Sequence, residues 1–165
     1  MPKLLTTEQM AEFASSGCLF FEELIDEQTN KEFLDDIGHT SVENVESVQT
    51  YFDNIKSTSS IPRIPAGTPL RDSYPKNSPL EKILKNEVVD GAIKSLVGSN
   101  PLVDHQALHL TFPTKYFKGA NQRQMSQQNH QDNTIDPRST FDIQVFYFPT
   151  EVTKKMGGTR YHPGT

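Results

Sequence analysis

Apolar positions recur every three to four residues in the first part of the chain and every second residue in the last part. Near the N-terminus, Met10, Phe13 and Ala14 form one stripe at helical spacing. Thr6 precedes that stripe with Gln9 three positions on, the pattern of a capping box, and Leu5 and Met10 are spaced to staple across it. Gly17 stands where a helix would end in a left-handed turn. The run Cys18-Leu19-Phe20-Phe21 then predicts a short buried strand. A second helix is expected from near Asp26, with Phe33, Leu34 and Ile37 turned inward and Gly38 as the stop. Ser78-Pro79-Leu80-Glu81 has a cap residue, proline at the first helical position and an acid at the third, which predicts a helix from Pro79 to about Lys85. A further helix is expected from about Glu87 to Val97, with Val89, Ile93 and Leu96 on one stripe and Gly98 ending it.

Between these blocks, residues from about Gln49 to Pro79 read as one long irregular segment. Pro62, Pro65, Pro69, Pro75 and Pro79 interrupt any regular element there. A segment of this length serves either as a lid or as a solvated connection. After Pro101 the period changes to two. Leu102, Asp104, Gln106, Leu108 and Leu110 fall on one face, and Val103, His105, Ala107, His109 and Thr111 on the other. Phe141 to Pro149 has the strongest strand pattern in the chain, Gly157-Gly158 predicts a turn, and Thr159-Arg160-Tyr161-His162 the start of another strand. Helices first and strands later predict a single α+β domain spanning residues 1–165. The strands after residue 140 are too few to close a sheet or barrel, so the chain is expected to be part of a longer protein.

Composition narrows the classes without choosing among them. Of 165 residues 34% are apolar, below the usual share, yet their periodic clustering favours a folded domain. The net charge is −5 and no Lys/Arg run occurs, which argues against nucleic acid as a main partner. A single cysteine, Cys18, cannot form an internal disulfide and fits a reducing, cytoplasmic setting. No apolar run approaches the ~20 residues that a membrane-spanning helix needs, so no membrane partner is expected. Oligomeric state has no signature in the pattern.

The informative chemistry lies in Asn129-His130-Gln131-Asp132-Asn133. On an extended backbone, residues two apart share a face, so His130 and Asp132 present an imidazole and a carboxylate about 6 to 7 Å apart along the chain, at ~3.3 Å per residue. Such a pair can close on one cation, and a second histidine from another strand would complete the facial triad of a non-haem Fe(II) oxygenase. His-x-Asp alone is a weak signal, and a solvated turn is the plain alternative. Its context strengthens it: a polar, glutamine-rich approach (Lys115 to Gln128) leads in, and an apolar strand pattern follows.

Other candidates are less specific. Asn133, directly after the carboxylate, and Gln144, polar within an apolar run, are candidates for contact with a co-substrate or substrate. Lys115, Gln124 and Gln127 read mainly as solvated loop residues. His105 and His109 share a strand face and read as pocket lining more readily than as metal ligands. His162 is a weaker candidate third ligand, Arg160 is expected to be exposed, and Cys18 reads as core. No nucleophile elbow, phosphate-cradling glycine loop or His-Glu-x-x-His helix is present.

Several of these segments, in this order, resemble the phytanoyl-CoA dioxygenase-like family. They are Leu5-Thr6-Thr7-Glu8-Gln9-Met10-Ala11-Glu12-Phe13 followed by Gly17 and an apolar run, Leu96-Val97-Gly98, and Gln128-Asn129-His130-Gln131-Asp132. The last is Met156-Gly157-Gly158-Thr159-Arg160-Tyr161-His162-Pro163-Gly164-Thr165. The resemblance implies a double-stranded β-helix (a cupin-like jelly roll) with the N-terminal helices packed on one side and its C-terminal strands missing from this chain. It implies Fe(II)- and 2-oxoglutarate-dependent hydroxylation of a small organic molecule, with His130 and Asp132 as two of the three iron ligands. In the family pattern the third ligand and the arginine that holds 2-oxoglutarate lie beyond the Pro-Gly-Thr segment, so the chain by itself is expected to turn over little. Two other readings use the same residues: a non-catalytic jelly-roll module that binds a small molecule or partner, and a zinc or manganese hydrolase built on His130 and Asp132. The substrate is not legible.

Overall fold

The computed structural model describes residues 1–39, 45–47, 49–51, 53, 76–101, 142–154, 156 and 158–164. Among these, four helices carry the architecture: α1 (Thr7–Ser16), α2 (Glu27–Asp36), α3 (Pro79–Leu84) and α4 (Glu87–Val97). The first three begin at the cap residues their sequence patterns mark, and α4 at the expected Glu87, behind an Asn86 cap that the pattern did not single out. Thr6 Oγ1 accepts from the Gln9 amide at 3.2 Å, and Gln9 Oε1 accepts from the Thr6 amide at 3.0 Å, closing the capping box. Asp26 caps α2, Ser78 caps α3 ahead of Pro79, and the Asn86 side chain accepts from the Val88 and Val89 amides at the start of α4. Helix α1 ends at Gly17 with φ 77°, the left-handed conformation that glycine takes at little cost.

The core lies where α2 meets α3. Phe33 of α2, Ile37 at its C-cap and Ile83 of α3 are buried together, with Ile25, Leu34 and Tyr147 packed against them. Helix α4 packs in turn on α3. Residues 49–51 and 53, expected to be irregular, are helical instead. Ser47 Oγ accepts from the Thr50 amide at 3.1 Å to start that turn, and Tyr51 is buried beside His39, its hydroxyl 2.6 Å from Nδ1. The proline count hid this turn, because every one of those prolines lies beyond it.

An N-terminal arm runs along α4. The Lys3 amide donates to the Glu87 carbonyl at 2.8 Å and the Leu5 amide to Ser95 Oγ at 3.0 Å, while Ser95 Oγ donates to the Gly91 carbonyl. Gly91 makes this approach possible, since a Cβ there would lie 1.9 Å from the Lys3 carbonyl oxygen. By contrast, α1 buries none of its residues: Met10 is exposed and Phe13 only half-buried, so its apolar stripe is not a core face.

One acid-sensitive part of this framework is the α2 cap. The Thr29 amide, and next the Thr29 hydroxyl, hold the Asp26 carboxyl below its ordinary range. A carboxyl whose pKa is lowered by folding binds its proton more tightly in the unfolded chain. The cap's contribution is therefore present above the ordinary carboxylate pKa and lost as pH falls through the folded value. Urea midpoints measured from about pH 5 downward are expected to decline less steeply in Asp26→Asn than in the parent chain. Equal slopes would contradict this role.

The expected α+β class and jelly roll are overturned, because the described residues are helical and contain no β-strand. Cys18 to Phe21 is not a buried strand: it makes no ladder, and Phe20 is 68% exposed, with its ring 5.7 Å from that of Tyr161. Thr159 to His162 likewise forms no strand, and the Gly164 amide donates to the Ser16 carbonyl at the end of α1. Residues 142–149 form no strand either, although their pattern is the strongest in the chain. The physical reason is that alternation describes only which side chains can share a face. A strand also needs a second backbone to satisfy its amides and carbonyls. The other strand expected, in the Leu102–Thr111 run, lies outside the described residues, as do the glutamine-rich approach and most of the irregular segment before Pro79.

Candidate functional site

His130, Asp132 and Asn133 lie outside the described residues, together with His105, His109, Lys115, Gln124 and Gln127. Of the residues expected to contact the metal or co-substrate, Gln144 lies among the described residues. It is exposed on the segment 142–149, so the argument that a buried amide there requires a ligand does not apply. His162 and Arg160 are both exposed, the latter as expected. Cys18 is half-buried, its amide donating to Ser16 Oγ at 3.2 Å. Among the described residues, no three or more His, Cys, Asp and Glu side chains are grouped so as to hold a metal ion.

What the structure does place is the anchor of the chain that follows the His-x-Asp motif. The Tyr147 hydroxyl donates to Asn30 Oδ1 on α2 at 2.5 Å, and Asn30 Nδ2 donates in turn to the Ile25 carbonyl at 3.2 Å. The Tyr147 ring meets Phe33 edge-on, with centroids 5.1 Å apart, so one side chain closes both a polar and an aromatic contact on the same helix. Its neighbours Phe146 and Phe148 point away, both exposed, their rings nearly parallel at 6.4 Å. Positions 143, 147 and 149 are half-buried and 144, 146 and 148 exposed, but Val145 on the odd-numbered side is exposed too, so the alternation is broken there; Tyr147 is the residue of this segment that seats on α2.

Sequence reading missed the Tyr147–Asn30 pair. The two residues are 117 positions apart, and nothing local marks either as the other's partner. The only hint was Tyr147 on the odd-numbered face of the apolar run.

Burial, and next the nearby Asp26 carboxylate, push the Tyr147 phenol up to about 12. A phenol whose pKa is raised by folding keeps its proton better in the folded chain. Its contribution is complete below the ordinary value of 10.0 and is lost as pH rises through the folded value. The midpoint for unfolding is expected to drop between those two values, and to drop less in Tyr147→Phe, where Tyr51, also raised by burial, still contributes. At neutral pH the same substitution removes one hydrogen bond, at a cost of about 1 kcal/mol. Identical alkaline limbs in the two proteins would exclude Tyr147 as the titrating anchor.

Comparison of the chain with protein-family models, with curated proteins and with solved structures gives no match.

Proposed function

We propose that this chain carries part of the metal face of a non-haem Fe(II)- and 2-oxoglutarate-dependent dioxygenase that hydroxylates a small organic substrate. The observation that carries the reading is Asn129-His130-Gln131-Asp132-Asn133. Order along the chain adds support: the motif stands between a segment similar to the opening helix of phytanoyl-CoA dioxygenase-like proteins and one similar to their Gly-Gly to Pro-Gly-Thr stretch. An imidazole nitrogen and a carboxylate oxygen are donors suited to a ferrous ion, and His130 and Asp132 would hold it through two of the three protein positions of a facial triad. When bound, the iron supplies activation of dioxygen at its open positions, with 2-oxoglutarate as the reductant.

The tasks left to the protein are ordinary ones. His130 must be neutral at the nitrogen that faces the metal, and Asp132 must be ionised, so metal binding weakens as pH falls. Asn133 directly follows the carboxylate in sequence and is our candidate for a hydrogen bond to the co-substrate. Gln144 keeps that role only as an exposed group on the anchored segment. The lone cysteine, Cys18, supports a reducing, cytoplasmic setting. No helix among the described residues is long and apolar enough to cross a membrane.

The test is anaerobic Fe(II) titration of the longer protein of which we propose this chain to be a part, with and without 2-oxoglutarate. One equivalent is expected to bind, and 2-oxoglutarate is expected to add the weak visible charge-transfer band of a chelated ferrous complex. His130→Ala and Asp132→Ala should each weaken Fe(II) binding at least tenfold, since even the residues that merely orient a metal ligand contribute about 10- to 100-fold. Unchanged Fe(II) affinity in both variants would refute the ligand assignment. Metal binding indifferent to 2-oxoglutarate would point instead to the hydrolase reading of the same two residues.

A further inference from the structure

No further inference is drawn: the strongest candidate, the exposed apolar ridge of Val145, Phe146 and Phe148 on the segment anchored to α2 by Tyr147, carries none because nothing in the structure shows what covers it.

Discussion

Phe33→Ala is expected to lower the stability of the chain by about 3 to 5 kcal/mol, as for other large aromatic residues removed from a core. The size of the effect follows from position. Phe33 is only 5% exposed and sits at the centre of the cluster formed by Ile37 and Ile83, with Ile25, Leu34 and Tyr147 around it. Its ring also receives the edge of Tyr147, so truncation removes the surface on which the segment 142–149 rests as well as the contact between α2 and α3. Domains of ordinary stability hold only about 5 to 15 kcal/mol in reserve, so this one change uses a large share of it. Urea denaturation followed by far-ultraviolet circular dichroism gives the measurement. Phe20→Ala is the control: with Phe20 68% exposed, its midpoint should stay within about 0.5 kcal/mol of the parent. Were Phe20 the costly position and Phe33 the tolerant one, the assignment of the core would be reversed.

Gly91→Ala should destabilise the chain even though alanine is the better helix former. In the middle of α4 the exchange gains up to ~1 kcal/mol of helix propensity. Against that, the new methyl group would stand 1.9 Å from the Lys3 carbonyl oxygen and 2.3 Å from its carbon. Both neighbours are backbone, so no side-chain rotation relieves the clash. The arm must move, and its two hydrogen bonds, from Lys3 to Glu87 and from Leu5 to Ser95, are stretched or broken. Forcing extra atoms into a closed contact costs about 1 to 3 kcal/mol, which exceeds the propensity gain over most of that range. Hydrogen exchange at the Lys3 and Leu5 amides reports the displacement directly: both are expected to lose protection in Gly91→Ala, while amides at the centre of α2 keep theirs. A raised urea midpoint with those two amides still protected would show that the arm does not rest on α4 as described.

How much could be read in advance varied with the range of the interaction involved. Helix ends were legible because a cap is a local object. Thr6, Asp26 and Ser78 each satisfy an amide three residues ahead, so residue type and spacing carry the geometry complete. The inward face of α2 was legible for the same reason, since Phe33 and Ile37 share one side of a 3.6-residue period. The stripe on α1 shows the limit: its period was correct, yet no neighbour covers it enough to bury any of its residues. Strands were misread because pairing is a property of two segments. Over residues 142–149 the alternation does not hold, since Val145 is exposed, and Tyr147 seats the segment on a helix through Phe33. The ligand pair His130 and Asp132 remains a reading of the sequence, resting on the order of the motifs and the chemistry of the donors.

By itself, then, the amino-acid sequence determined where the helices start and stop, which residues of α2 turn inward, and that an imidazole and a carboxylate stand two positions apart in a polar setting. Tertiary structure alone decided that Tyr147 reaches Asn30, that Tyr51 is buried beside His39, and that Gly91 must be bare for Lys3 to cross it. The division has one cause. Contacts within a turn of helix are set by bond geometry over a few residues, whereas contacts between distant segments are chosen by the whole chain at once, through whichever burial and hydrogen bonding it can satisfy together.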